Sequence, residues 1–424
     1  MRLEIDQLPS RLFEHARDWS DFAVSALLST PVFYETEQRN ISSSVIDSLE
    51  RASDHEWILN IRHTDTQLTA HDICKQILRV RNAVGSALSL AGHFKLVRIL
   101  NNKTLSLITR MKLATPNRLL CNPSFSAPIN MIKAPTHFND APHHLIFPDG
   151  KEISIHAHEL HSNGGKNETF FDISGPMTTA PENWGDETGR AKLHKFPLDI
   201  LYALETPAGL SREDKTRLSQ EIDRSRIADA LHHMIVPKGR LTNSWTDRFE
   251  MGKLPITDSY FPHNNEATNS FSSTTRICYS SYTGNREMAV QLSAEIGRIL
   301  GNAPELINVP YSELHSEKWS NAYKVILISS TWPHPAAHLT PFYFSSDSSI
   351  EFKQAYERSI ASDDMSIAHK YALEAEDLLC LHELGTIILG QIIGCMRTSK
   401  SISWWPPSGW VYMHNLSPFF GETK

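Results

Sequence analysis

Cysteine is scarce in this chain. Its five cysteines, Cys74, Cys121, Cys278, Cys380 and Cys395, are odd in number and include no C-x-x-C pair. That fits a reducing compartment better than a disulfide framework. Long apolar runs are missing too: the best candidate, GTIILGQIIGCM, is shorter than the roughly 20 residues a membrane-spanning helix requires. The opening MRLEIDQLPSRLFEHARDW carries charges throughout and no apolar centre, so it does not read as a secretory signal. Positive charge is in deficit, with 41 Lys and Arg against 48 Asp and Glu and a net charge of -7. Bulk attraction to nucleic acid or to an anionic membrane is therefore not expected. No Walker loop and no Gly-x-Ser-x-Gly elbow occurs. These absences lead to the expectation of a soluble cytoplasmic protein without nucleic-acid or membrane partners.

What is present is the composition of an ordinary globular protein, 40% hydrophobic and 9% aromatic, in 424 residues. That length suggests two domains. The first part mixes helices with hairpins. Residues 11–28 read as a helix and EWILNIR (56–62) as a strand. Residues 70–91 place Ile73, Ile77, Val80, Val84 and Leu88 three or four apart, a buried helix stripe that Thr69 can cap. FKLVRIL-NNK-TLSLITRMKL and HHLIF-PDG-KEISIHAHEL are hairpin signals. Residues 211–235 read as one helix opened by SRED. The expected organisation is an α+β domain over 1–237, a polar, turn-rich linker over 238–274 and an α/β domain over 275–424. In the last domain, strands at RICYS, ELINV and YKVILISS alternate with helices at 286–300, 349–361 and 364–384. Gly385 can close the last helix. TIILGQII follows as a fourth strand and GWVYMHN as a fifth. Such alternation implies a doubly wound parallel sheet.

In such a sheet, ligands sit beyond the carboxyl ends of the strands. The loop YSSYTGNR lies there and leads into a helix, whose free N–H groups and positive dipole end attract an anion. Gly284 allows close backbone approach, Ser281 and Thr283 offer hydroxyls, and Asn285 suits a helix cap. This loop resembles the first phosphate loop of the flavodoxin family, an aromatic residue followed by T/S-x-T-G-N-T. The resemblance covers about the last third of the chain. It implies a flavodoxin-like C-terminal domain that binds FMN through Ser281, Tyr282, Thr283, Gly284, Asn285 and Arg286. It also implies that Thr331 and Trp332 lie at the flavin, with the Trp332 ring stacked on its face. Arg286 stands where the family has threonine, and the family's glycine- and acid-rich second loop is missing. The function implied is that of a flavin redox protein or reductase; no catalytic residue is assigned.

Alternative readings remain open at this point. A strand-YSS-helix start also resembles Toll/interleukin-receptor-type NAD-binding domains, though without a catalytic glutamate in the right place. A non-enzymatic nucleotide-binding, interaction or sensor protein with a protein partner fits as well. Residues 137–161 hold six histidines. His156 and His158 alternate onto one strand face, so with His144 or His161 they form a candidate zinc or iron site for a metal-dependent enzyme. LHELGT lacks the second histidine of a zinc-protease helix, and FSSTTRICYS lacks both glycines of a haem–thiolate loop. SWWPPSGW reads as a packing plug in which Trp405 or Trp410 could flank a ligand.

Overall fold

The alternation in Glu56–Ile61 makes a strand with one dry face: Trp57, Leu59 and Ile61 are buried and the residues between them are not. It is an inner strand of a four-stranded antiparallel sheet ordered Ile46–Ser53, Glu56–Ile61, Thr104–Thr109, Phe94–Asn101. The last two of these are the expected Asn-Asn hairpin. The helix Ala70–Asn82 lies near Phe94–Asn101 and buries Ile73, Ile77 and Val80. Thr69 and Asp72 cap its start reciprocally, with Asp72 N–H donating to Thr69 Oγ1 and Thr69 N–H donating to Asp72 Oδ2.

The structure is a computed structural model. It describes the chain outside 63–67, 83–89, 129–142, 158–171, 178–191, 243–274, 401–404, 413–415 and 417–424, and outside scattered positions at 7, 10–11, 14–15, 17–18, 39, 148–149, 232–233, 283, 331, 345–347, 380, 382–383 and 407. The chain is mixed α/β and divides into two units. The first comprises Met1–Phe196, Ser330–Ala375 and Gly394–Lys424; the second comprises Pro197–Ser329 and Glu376–Ile393. The backbone therefore passes from one unit to the other four times, twice inside the long strands Lys192–Glu205 and Thr386–Thr398.

Besides the four-stranded sheet, the first unit holds a second one. The strand Arg2–Ile5 runs parallel to Glu152–Ala157 on one side and to Ile173–Met177 on the other. His143–Ile146 extends it as the second expected hairpin, and residues 395–398 pair antiparallel with Ile173–Met177. Leu3, Ile5, Leu27, Ile155, Met396 and Val411 are among the residues of the core over this sheet. The expected helix at 11–28 is described as Trp19–Leu27. Trp405, Trp410, Val411 and Tyr412 are buried packing residues, and 410–412 form no strand.

In the second unit, Glu305–Asn308, Arg276–Tyr279 and Tyr323–Ser329 form a parallel run in that order, with the helix Asn285–Leu300 between the first two in sequence. Here the doubly wound expectation is corrected. The next neighbour of Tyr323–Ser329 is antiparallel, residues 200–205 of Lys192–Glu205. Ile235–Pro237 pairs antiparallel with 390–392. TIILGQII is thus part of a long antiparallel strand rather than a fourth parallel one. The sheet recruits strands from before the linker, a pairing that periodicity along one stretch of sequence cannot reveal. Two smaller differences have local causes. The helix expected over 211–235 is two, Arg212–Glu221 and Arg224–Ala230, because the Asp223 side chain accepts from Arg226 N–H and starts a second helix. The last helix ends at Leu379, and Gly385, at φ +85°, opens the following strand. Its carbonyl accepts from Thr206 N–H, and a Cβ there would meet Thr206 Oγ1 at 2.7 Å.

Candidate functional site

The loop after Arg276–Tyr279 does what its glycine suggests. Gly284 takes the left-handed conformation, φ +83°, at the N-cap of Asn285–Leu300. No side chain caps that helix. Asn285, one residue later, turns its amide inward: it is buried, accepts from Tyr202 O–H at 2.9 Å and donates to Ser280 Oγ at 2.9 Å. Tyr282 is buried with its ring edge-to-face to Tyr311 at 6.0 Å. Ser281 Oγ donates to Asn308 at 3.2 Å, and Arg286 is exposed. Thr283 lies outside the described residues. These side chains gather around one helix start because Asn308, Tyr311 and Tyr202 arrive from neighbouring elements, a convergence that the motif alone does not encode.

Trp332 belongs to the first unit and Thr331 lies outside the described residues. Trp332 is fully buried, and His334 is stacked on it at 4.4 Å with 12° between the ring planes. Its indole N–H donates to Thr340 Oγ1 at 3.2 Å. From Thr340 a chain of hydrogen bonds runs through Tyr356 O–H at 2.9 Å to His93 Nε2 at 2.9 Å. It ends where His93 Nδ1 meets the Leu90 carbonyl at 2.9 Å. The two ends fix its direction. A carbonyl only accepts, so His93 carries its proton on Nδ1 and Nε2 accepts from Tyr356. An indole N–H only donates, so Thr340 accepts from Trp332, and its own proton goes to Tyr356 at 2.9 Å rather than to the Ala336 carbonyl at 3.4 Å, since Tyr356 donates to His93. Burial drives the His93 pKa down to about 4, against a smaller opposing effect of the Leu90 carbonyl. The imidazole is thus neutral at pH 7. Sequence reading singled out Trp332 but missed His93, Thr340 and Tyr356, which lie far apart in the chain and form no motif.

This relay supports two aromatic rings at the surface of the first unit. Tyr343 stacks on Tyr356 at 4.6 Å, and Phe344 meets His93 edge-on at 5.1 Å.

The histidine hairpin is in place, with His144 opposite Ser154. His156 Nε2 hydrogen-bonds Ser154 Oγ at 2.7 Å, and burial, Arg2 and His144 together lower the His156 pKa. His158 and His161 lie outside the described residues, as do His382 and Glu383. Among the described residues no group of three or more His, Cys, Asp or Glu is arranged to hold a metal ion. Cys74, Cys121 and Cys278 are buried thiols whose pKa values burial raises, which makes them poor nucleophiles.

No family model and no curated protein sequence matches the chain. Solved structures do. The murein tripeptide binding protein MppA of Escherichia coli superposes with a TM-score of 0.73 at 12% identity, covering 97% of each chain. The chain shares the fold of that protein. NikA of Staphylococcus aureus in complex with Ni(L-His)2 gives 0.74 at 11% identity over 97% of each chain. A dipeptide binding protein of a Pseudoalteromonas species in complex with Met-Leu gives 0.73 at 10% identity, over 97% of this chain and 99% of that one.

These matches overturn several expectations. A flavodoxin-like domain would align with the last third of the chain, whereas this fold spans nearly all of it. With that domain go the flavin redox function, the oxidoreductase and flavoprotein reading, FMN as cofactor and the Toll/interleukin-receptor-type alternative. The zinc or iron enzyme reading falls with them. The cytoplasmic location is corrected as well: the MppA fold is that of a protein described as periplasmic. The loop is a strand, a glycine turn and a helix start, a unit that recurs in many α/β folds and so does not identify a flavodoxin.

Proposed function

We propose that this protein is a binder of small solutes, with short peptides as the ligand class. The observation that carries the reading is the agreement of fold over 97% of this chain, and 97% and 99% of the other two, with proteins whose names specify a murein tripeptide and a dipeptide. A place outside the cytoplasm accompanies this reading, after the periplasmic MppA.

The test is a thermal-shift screen of the full chain against dipeptides, tripeptides and nickel–histidine, followed by calorimetry. A peptide at a hundredfold excess over its Kd is expected to add about 3 kcal/mol and to raise Tm by a few degrees. Failure of every peptide to shift Tm would defeat the peptide assignment. A response to nickel–histidine alone would replace it with a chelated metal.

A further inference from the structure

The surface over the buried relay is an open groove of about 1040 Å³, entirely within the first unit. One wall is the helix Ile350–Ile360. Lys353, Gln354, Glu357 and Arg358 follow the spacing that puts residues on one helical face, and all four line the groove. The other wall is Arg110, Met111 and Lys112, the segment that follows the strand Thr104–Thr109. Backbone bonds pin both walls. Arg110 N–H donates to the His93 carbonyl at 2.9 Å, and Ala114 N–H donates to the Ile360 carbonyl at 2.9 Å. Tyr343 and Phe344 form the aromatic part of the lining, and Phe344 is exposed.

The charge is one-sided. Arg110, Lys112, Lys353 and Arg358 face one carboxylate, Glu357, in a chain whose net charge is -7. Glu357 already accepts from Tyr343 O–H at 2.6 Å. Arg358 is paired with Glu374 and lies over the Tyr371 ring at 4.8 Å. Lys112 has only a loose contact with the exposed Asp54 at 3.7 Å. The side chains of Arg110 and Lys353 make no ion pair or hydrogen bond among the described residues.

We propose that this groove docks an acidic peptide segment of a partner protein, with its carboxylates on Arg110 and Lys353 and an apolar side chain against Phe344 and Met111. Charge complementarity selects the occupant, since carboxylates meet guanidinium and ammonium groups without displacing an existing partner. The openness of the groove suits an extended chain better than a small ligand, most of whose surface a binding pocket encloses. The aromatic wall is rigid because the His93–Tyr356–Thr340 relay holds it from behind, so little ordering is needed on docking.

Fluorescence anisotropy on the full chain tests this with a labelled synthetic peptide that alternates glutamate and phenylalanine. It should bind, and the same peptide with lysine for glutamate should not. The double variant Arg110→Glu, Lys353→Glu should weaken binding at least about tenfold, with its unfolding midpoint unchanged because both residues lie in the solvated wall. Phe344→Ala should weaken it a few-fold. Gly92→Ala should do the same, because its Cβ would meet the Phe344 ring at 2.6 Å and re-aim it. Equal binding by the double variant, or by the lysine peptide, overturns the proposal. So does no binding at all, or displacement by ATP or inorganic phosphate below the concentration at which unlabelled peptide competes, which would mark a small-anion site. A solute that meets the thermal-shift test yet leaves the labelled peptide bound supports two separate sites. Displacement by that solute overturns the groove while leaving the solute-binding reading intact.

Discussion

At the start of Asn285–Leu300 the buried polar side chains face one another; across the groove beside Ile350–Ile360, the side chains of Lys353 and Arg110 have no polar partner among the described residues. The first region has every local mark of a ligand loop, yet Asn285, Tyr202 and Ser280 are one another's hydrogen-bond partners. The second has no motif, yet the side chains of Arg110 and Lys353 across its groove have no partner among the described residues. The difference teaches that a motif reports local backbone geometry. Whether a polar group remains available is decided by residues that arrive from far along the chain.

Four measurements break or sharpen that contrast. Trp332→Ala should have the largest effect, because it opens a cavity where a fully buried indole meets His334 and Thr340; about 3–5 kcal/mol of stability is expected to be lost, read from urea midpoints. Acidification should come next. An unfolded imidazole titrates near 6.5 and the buried His93 near 4. Between these values the unfolded chain holds a proton that the native state refuses, so stability falls as pH drops through that window, by roughly 3 kcal/mol in all. His93→Gln should flatten that part of the stability–pH curve, and an unchanged slope would show that His93 is not the group responsible. Asn285→Ala and Tyr356→Phe should each cost about 1–3 kcal/mol, since each strands buried partners. Arg110→Ala and Lys353→Ala should fall within about 0.5 kcal/mol of wild type. If these last two cost as much as Asn285→Ala, the groove cations have structural partners and the contrast is lost.

Much of the local architecture was legible. Glu56–Ile61, both hairpins, the Thr69-capped helix and the run from Arg276 to Ser329 follow from alternation, turn residues and caps, which act within a few residues. The sheet that joins Tyr323–Ser329 to residues 200–205, and Arg2–Ile5 to Ile173–Met177, was not legible, because such pairings leave no periodic trace. The same limit hid the relay. Trp332 stood out only through the flavodoxin resemblance, as a ring for a flavin face, and its partners Thr340, Tyr356 and His93 are ordinary residues until the fold collects them.

The chain's habit of leaving a unit and returning to it has a consequence for biosynthesis. Leu3 and Ile5 belong to a core that also contains Met396, Val411 and Leu416. The strand Arg2–Ile5 finds its neighbours once residues 152–157 and 173–177 have been made, but its core is complete only when residues 396–416 have followed. Such long-range closure slows folding and exposes a sticky intermediate. A fragment ending near Phe196 would therefore leave part of that core uncovered and is expected to aggregate, as light scattering would show.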